Sequence, residues 1–457
     1  MPRTIKQRRK CTSSVVSLPV LRPNAAGIDI GAREIYVAVP PHRDPHPVQA
    51  FPTFTSDLLE LADWLKQCGV DTVAMESTGV YWIPLFQILE ARGFEVFLVN
   101  AHHVKNVPGR KSDVSDCQWL QYLHTVGLLR ASFRPPQAVC QLRAILRHRD
   151  NLVQMAATHV QHMQKALDQM NLQLHHVISD LTGTTGLAIL DAILNGERDP
   201  QVLAQRRDRR IQASTETIAQ SLVGDYRPEH LFVLRQSLAS YRAYQALILE
   251  CDKEIQAVLA HFQTQADPAS MPTPTQKPHK PQRNQFHFDL HAEHYRILGV
   301  DLTRVPGLET LSVHTLLSEV GPDLSAFPHE GEFASWLGLC PNRRITGGRL
   351  LSSRTRKVRQ RLARALRMAA ESLHHSQSWL GEFYRRMRAQ HGAPKAITIT
   401  AHKLARIIYH LLKARRPYDE SVFAREQERH CRRTQARLQR QAKALGFQLV
   451  PIDAPTT

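Results

Sequence analysis

Four acidic residues in the first third of the chain have the types and spacing needed for metal-dependent chemistry on phosphate. Asp29 interrupts an apolar run, where a carboxylate must be paired, metal-bound or exposed at a strand end, because an isolated buried charge costs several kcal/mol. Glu76 ends a second apolar run, and Asp113 and Asp116 are spaced to lie on one face of a helix. Together these carboxylates offer oxygen ligands for two Mg²⁺ ions about 4 Å apart, which promote in-line attack on a phosphodiester.

Each of these acidic signals has a second interpretation when it is taken alone. An Asp-x-Gly turn like the one at Asp29 also occurs near the start of sugar kinases and actin-like ATPases, where it contacts phosphate. Ser112 and Asp113 are equally consistent with the N-cap of a helix. A kinase of that class needs a second Asp-x-Gly strand motif and an adenosine-binding Gly-Gly pair at the matching place, and the sequence supplies neither.

Cations must accompany such a site, because bare carboxylates repel a phosphodiester. The 457 residues include 59 lysines and arginines against 41 acids, which gives a formal net charge of +18. Lys105, Arg110 and Lys111 directly precede the acidic pair and are predicted to neutralise a nucleic-acid backbone. A net positive charge this large indicates a polyanionic partner.

The composition also limits the class of protein. A mean hydropathy of −0.33, with no uncharged apolar stretch of about 20 residues, argues against an integral membrane protein. The seven cysteines are scattered without a CxxC pair, which argues against a disulfide framework or a zinc ribbon. The basic N-terminus lacks the apolar segment of a secretory signal. We therefore expect a cytoplasmic protein with no membrane partner.

Short apolar runs alternate with helical patterns between residue 25 and about residue 100, as in α/β domains. Three strands in hairpins, followed by helix, strand, helix and strand, make the element order of a ribonuclease H-like fold. The predicted strands are Ala26–Gly31, Glu34–Val39, Val48–Phe54, Val70–Met75 and Phe94–Val99, and the predicted helices are Asp57–Cys68 and Trp82–Arg92.

The rest of the chain is predicted to be mainly helical. Long helical patterns over Gln137–Leu174 and His230–Phe262 predict an antiparallel hairpin or coiled coil. A proline-rich stretch follows, which predicts a linker. The expected divisions are a basic arm (1–24), an α/β catalytic domain (25–135), a helical coiled-coil spacer (136–263), the linker (264–290), a C-terminal domain with a helix-hairpin-helix-like element (291–415) and a basic tail (416–457).

Three motifs resemble one known family. The segments GIDIGAREIYVAV, AMESTGVYW and VPGRKSDVSDCQWL together look like the DEDD transposases of the insertion-sequence-110 family, whose N-terminal domain is similar to the Holliday-junction resolvase RuvC. The resemblance implies a RuvC-like domain in which Asp29, Glu76, Asp113 and Asp116 are the metal-binding and catalytic acids. It continues into residues 327–342, which look like the family's C-terminal, serine-type transposase domain.

The resemblance also implies a nucleophile in the C-terminal half. In this family a serine directly before a Gly-Gly pair is expected to join covalently to a DNA 5′ phosphate, and Thr346 has that position here. Ser352 is an equal alternative on the same glycine-flanked loop, with Ser353 behind both. The stretch from Pro341 through Arg367 contains ten basic residues and no acid. The expected nucleic-acid-binding residues in this stretch are Arg343, Arg344, Arg349, Arg354, Arg356 and Lys357.

We therefore expect a Mg²⁺-dependent DNA transposase or recombinase associated with the bacterial nucleoid. By resemblance, its partners are the element ends and the target DNA, an RNA encoded by the element (a bridge RNA), and further copies of the chain in a homodimer or homotetramer. One rival is a RuvC-like nuclease, which needs the four acids but no hydroxyl nucleophile. Another is a non-catalytic nucleic-acid-binding scaffold whose acids are structural.

Overall fold

The structure, a computed structural model, describes residues 18–77, 79–100, 113–271 and 284–448. The chain divides into two compact units, and the division falls between Arg134 and Pro135. Among the helices of the described ranges, none is both long and apolar enough to cross a bilayer. The predicted cations Lys105, Arg110 and Lys111, most of the basic arm and residues 272–283 of the predicted linker lie outside the described residues.

The first unit is built on a mixed sheet of five strands in the order β3-β2-β1-β4-β5. The first three strands are antiparallel neighbours, whereas β4 runs parallel to both β1 and β5. This confirms the predicted sheet and its order of elements. The strands are β1 (Ala25–Ile30), β2 (Glu34–Ala38), β3 (Val48–Pro52), β4 (Thr72–Glu76) and β5 (Glu95–Val99), and the helices are α1 (Thr55–Gln67), α2 (Trp82–Ala91) and α3 (Asp113–Thr125).

Helices cover both faces of this sheet, which explains why its central strands are apolar along their whole length. On one face, Leu61 of α1 and Leu85 of α2 belong to the same buried cluster as Met75 of β4. On the other face, Leu120 of α3 packs in a cluster with Ala74. Burial on both sides leaves the strand ends as the places where the central strands can present polar groups.

Two helices of 33 residues, α4 (Gln137–Gln169) and α9 (Pro228–Ala260), pack along each other in the second unit. They run antiparallel, because Arg149 contacts Asp252 whereas His159, further along α4, stacks on Tyr244, nearer the start of α9. Positions at alternating spacings of three and four are buried or half-buried along both helices, as in heptad packing. Coiled-coil geometry itself stays a prediction.

The prediction that the first long helix continues to Leu174 is wrong. Helix α4 ends at Gln169, and Asn171 adopts a left-handed conformation with φ of 54° that turns the chain away. Four short helices, which the sequence analysis did not identify, then precede α9. They are α5 (Leu174–Val177), α6 (Thr184–Leu194), α7 (Pro200–Ala204) and α8 (Thr215–Ser221).

The remainder of the second unit is helical apart from one small hairpin. Strands β6 (Arg344–Thr346) and β7 (Arg349–Ser352) form this hairpin where the sequence analysis expected a loop. The described part of the basic tail contains one long helix. The helices are α10 (Leu290–Leu298), α11 (Thr310–Glu319), α12 (Glu330–Trp336), α13 (Arg361–Ser372), α14 (Trp379–His391), α15 (Ala393–Ala414) and α16 (Ala424–Ala444).

Candidate functional site

Two of the predicted acids lie at the same edge of the sheet of the first unit. The parallel register of β1 and β4 pairs Ile28 with Met75, so Asp29 and Glu76 are the next residues on the two strands. Both residues are half-buried, as expected for groups at the end of strands whose preceding residues are covered. Because neighbouring strands lie about 4.8 Å apart, this register brings the two backbones together at the carboxyl ends of the strands, where open α/β sheets bind ligands.

Helix α3 brings a third predicted acid to β1, and a glycine permits it. A Cβ added to Gly27 would lie 2.2 Å from the backbone nitrogen of Gln121 and 2.3 Å from the carbonyl oxygen of Cys117. Only glycine therefore allows α3 to approach the strand this closely. Asp116 directly precedes Cys117, so the opening of α3 lies beside the strand that carries Asp29.

The pKa of the buried Cys117 thiol depends on the charges of two of the predicted acids, Asp29 and Asp116. The pKa of Cys117 is raised to about 12, mainly by burial, and the charges of Asp29 and Asp116 both contribute to the rise. Both acids therefore lie within electrostatic range of one sulfur atom. Local sequence patterns do not single out Gly27 or Cys117 as site residues, although a glycine inside a strand pattern is a recognised sign of close backbone approach.

The donor set around this edge fits magnesium. Asp29, Glu76 and the exposed Asp116 offer carboxylate oxygens, which are the ligands that Mg²⁺ prefers. Cys117 does not compete, because its raised pKa keeps it a neutral thiol at neutral pH. Asp113 is the first residue of α3, but its side chain lies outside the described residues, so its predicted place in the set stays a prediction.

The predicted hydroxyl groups lie on the hairpin of the second unit. Gly347 and Gly348 have φ of 54° and 76°, the two positive values that a tight two-residue hairpin turn requires. Thr346 pairs with Arg349 and Ser352 pairs with Arg344. Paired residues share a face, and residues two apart along a strand share it too. The two hydroxyl candidates therefore lie on one face of the hairpin together with two arginines.

The hairpin is exposed along almost its whole length. Thr346 and the neighbouring Ser353 are exposed, while Ser352 is half-buried and its Oγ accepts a hydrogen bond of 3.3 Å from the backbone nitrogen of Arg354. On the opposite face, Ile345 and Leu350 are 61% and 57% exposed. All six predicted nucleic-acid-binding cations of this stretch are exposed: Arg343, Arg344, Arg349, Arg354, Arg356 and Lys357.

The glycine of the expected helix-hairpin-helix element has a packing role in the structure. Gly307 has φ of 87°, and a Cβ there would lie 2.7 Å from the carbonyl oxygen of Ala369 in α13. The close approach of α13 therefore explains this glycine without a phosphate ligand. The helix-hairpin-helix interpretation stays a prediction.

Comparisons with known protein families match two segments of the chain. The family model DEDD_Tnp_IS110, described as a transposase, matches residues 26–172. A second model, described as a transposase of the IS116/IS110/IS902 family, matches residues 301–385. The first match contains Asp29, Glu76, Asp113 and Asp116, and the second contains the hairpin. A comparison with curated proteins gives no match.

Proposed function

This chain belongs to the IS110 family of DEDD transposases, enzymes whose substrate is DNA, and we propose that it cuts and rejoins the strands of a mobile element with Mg²⁺ and a covalent intermediate. The observation that carries the proposal is the register that aligns Asp29 with Glu76, with the opening turn of α3 packed against the same strand. Carboxylates gathered at a strand edge are the arrangement that phosphoryl-transfer enzymes use to hold divalent cations.

The first chemical centre consists of Asp29, Glu76, Asp113 and Asp116, which would hold the magnesium ions. When bound, Mg²⁺ supplies Lewis-acid stabilisation of the charge that develops on the phosphate. The chain contributes by fixing the carboxylates on rigid elements. Glu76 ends β4, Asp29 lies one residue before the end of β1, and Gly27 allows the first turns of α3 to pack beside β1.

The second chemical centre is the hydroxyl face of the hairpin. The oxygen of Thr346 or Ser352 attacks the phosphorus of a DNA phosphodiester, the new bond between oxygen and phosphorus forms, and the bond from phosphorus to the 3′ oxygen breaks. The 3′ oxygen takes a proton, and the hydroxyl proton passes to solvent or a carboxylate. The product is a 5′ phosphate bound to the chain, and the reverse reaction rejoins a strand with no external energy source.

Arginines on the same face support this role. Arg344 and Arg349 share the hydroxyl face with the two candidates, where guanidinium groups are placed to bind phosphate oxygens and stabilise their charge. The exposed apolar side chains of Ile345 and Leu350 on the other face are suited to contact bases or sugars. We infer that the hairpin is the part of the second unit that holds the scissile strand.

Three further parts of the proposal concern organisation and partners. The long helical hairpin would act as a coiled-coil spacer between the RuvC-like domain and the C-terminal transposase domain. Exposed apolar residues on α9, including Phe232 and Leu247, support self-association into a homodimer or homotetramer. The formal net charge of +18 supports binding to a guide RNA encoded by the element in addition to DNA.

A covalent-trapping assay tests the proposal. The purified full chain is incubated with Mg²⁺, end-labelled DNA spanning the joined element ends and the noncoding RNA of the element, and the products are separated on denaturing gels. We expect a DNA adduct that disappears in Asp29→Asn and in one of Thr346→Ala and Ser352→Ala. Ser353→Ala is tested beside them because Ser353 is the lower-ranked candidate, and loss of the adduct in that variant alone would identify Ser353 as the nucleophile.

The rival functions give different results in the same assay. A RuvC-like nuclease would cleave DNA in a metal-dependent way, form no adduct and be unaffected by the hydroxyl variants. A non-catalytic scaffold would bind nucleic acid equally well with and without the Asp29 carboxylate and would cleave nothing.

A further inference from the structure

Three potential metal ligands meet where α4 ends and the short helices begin. One ligand atom from each of Asp168, His175 and His176 lies within 4.8 Å of the other two. Nε2 of His175 is 3.3 Å from Oδ1 of Asp168, and the centroids of the two imidazole rings are 4.1 Å apart. Ligand atoms bound to one tetrahedral zinc ion at about 2.0–2.2 Å are themselves roughly 3.3 Å apart. The 3.3 Å distance between Nε2 of His175 and Oδ1 of Asp168 therefore already matches the edge of a coordination tetrahedron.

The turn that carries these side chains is held by backbone hydrogen bonds. The carbonyl oxygen of Asp168 accepts a 2.9 Å hydrogen bond from Asn171, whose left-handed conformation closes the turn. The backbone nitrogen of Gln173 donates to the carbonyl oxygen of Ser221 at 2.8 Å. Leu172 is fully buried. The backbone that carries the three side chains is thus held in place before any ion arrives, which reduces the ordering cost of binding.

The ordinary interpretation of this cluster is a histidine held in the core by hydrogen bonds. In His175 only Nε2, which lies beside Asp168, has a partner, whereas Nδ1 is buried and has no hydrogen-bond partner among the described residues, so hydrogen bonds do not hold both ring nitrogens. Buried polar atoms of histidine normally have a partner.

We propose that Asp168, His175 and His176 bind a transition-metal ion of the zinc class, with solvent completing the coordination. Two imidazole nitrogens and one carboxylate oxygen are ligands suited to Zn²⁺, Ni²⁺ or Co²⁺, whereas Mg²⁺ prefers oxygen ligands alone. This site is therefore chemically distinct from the carboxylate centre of the first unit. The ion would join the last turn of α4 to α5 and hold the short helices against the long helical hairpin.

The chain contains a matched control for this proposal. His374 and His375 are also adjacent, with ring centroids 4.5 Å apart. However, the neighbour of His374 is a cation, since Nη1 of Arg388 lies 3.0 Å from its Nε2. Within the described ranges this second pair joins no group of three close ligands. A pair of histidines without a carboxylate should bind zinc much more weakly.

The test is a calorimetric titration of the metal-free full chain with ZnCl₂ in excess Mg²⁺, together with hydrogen exchange of residues 167–178. Three variants are compared, namely Asp168→Asn, His176→Gln and the control His374→Gln. His176 is exposed, so its replacement leaves the packing of the turn intact. We expect one Zn²⁺ site whose affinity falls at least about tenfold in the first two variants and is unchanged in the control.

Hydrogen exchange locates the effect. Zn²⁺ should slow exchange in residues 167–178 of the wild-type chain and of the control, but not in His176→Gln. Equal zinc affinity in wild type and His176→Gln, or protection that appears only outside this segment, would overturn the proposal. Neither outcome depends on transposase activity, so the result is independent of the function proposed above.

Discussion

Asp29 and Glu76 occupy neighbouring register positions on two parallel strands, one residue beyond the pair formed by Ile28 and Met75. The two acids are far apart in sequence, and the crossover through α1 returns the chain to lie beside β1. The sheet therefore determines their proximity, and no flexible loop is involved in placing either of them. A site built on rigid strands keeps its geometry through a reaction cycle better than one built on loops.

Replacing Gly27 with alanine should damage this centre without touching an acid. The new Cβ would lie 2.2 Å from the backbone of Gln121, so α3 must move away from β1. We expect a clear fall in melting temperature and loss of DNA cleavage. Gly331→Ala is the control, because a Cβ there meets nothing within 4 Å, and alanine in a helix should stabilise it by about 0.5–1 kcal/mol. Equal melting temperatures for Gly27→Ala and wild type would contradict the packing argument.

The pair Arg149 and Asp252 should fix the register of the two long helices. Both lie at buried heptad-spaced positions, 5% and 1% exposed at the side chain. Arg149→Leu leaves the buried charge of Asp252 with only the exposed His287, whose Nε2 lies 3.9 Å from Oδ2, and should cost about 3–5 kcal/mol in urea unfolding. The double variant Arg149→Leu/Asp252→Leu should recover most of that loss. The exposed pair of Arg361 and Asp150 gives the comparison, because Arg361→Leu should change stability by less than about 1 kcal/mol.

The hairpin arginines should contribute to DNA affinity mainly through phosphate. Arg344→Ala and Arg349→Ala should each weaken binding and reduce the slope of log affinity against log salt by about 0.9, because each lost phosphate contact releases one counterion fewer. Fluorescence anisotropy at several salt concentrations measures the slope. Arg209→Ala, at an exposed position away from the hairpin, should leave it unchanged. An unchanged slope in both hairpin variants would remove the hairpin from the DNA interface.

Lowering the pH should destabilise the first unit, because His124 takes up a proton when the chain unfolds. Burial lowers the pKa of this histidine to about 4, and its Nε2 lies 2.9 Å from the hydroxyl of Thr72. Because the unfolded chain binds the proton near pH 6.5 and the folded chain does not, stability is complete above pH 6.5 and falls toward pH 4, by about 3 kcal/mol in total.

The matched variant for this pH effect is His124→Gln, which keeps a polar side chain but does not titrate. We expect the difference in melting temperature between wild type and His124→Gln to shrink steadily as the pH falls from 7 to 4.5. A difference that stays constant over this range would show that His124 does not titrate with folding.

The sequence indicates the first unit well because local signals and the fold agree there. Apolar strands that carry Asp29 and Glu76 at or next to their last residue predict both the sheet and the edge where the acids meet. The close approach at Gly27 depends on α3, which lies nearly 90 residues later in the chain, so no local pattern contains it. The thiol of Cys117 was missed for the same reason, since its pKa depends on tertiary burial.

The second unit was harder to predict because its key features depend on turns and on tertiary contacts. The Gly-Gly pair was recognised, but the short exposed strands around it contain alternating arginines and aliphatic residues that resemble a loop. The end of α4 depends on Asn171, a residue that enters the left-handed conformation only when the surrounding turn requires it. The cluster of Asp168 with two histidines depends on that turn and therefore has no spacing signature.

The claim that the carboxylates of the first unit hold Mg²⁺ for DNA strand cleavage is tested most directly by measuring cleavage in variants that each lack one carboxylate. The variants Asp29→Asn, Glu76→Gln and Asp116→Asn are each compared with the control Glu95→Gln on labelled element-junction DNA, with and without Mg²⁺. Glu95 is an exposed acid at the start of β5, whereas Glu76 pairs with Val99 at the end of that strand. The account predicts that the first three variants lose cleavage by at least about 10³-fold while they still bind DNA, and that Glu95→Gln cleaves like wild type. Cleavage that survives in both Asp29→Asn and Glu76→Gln would contradict it.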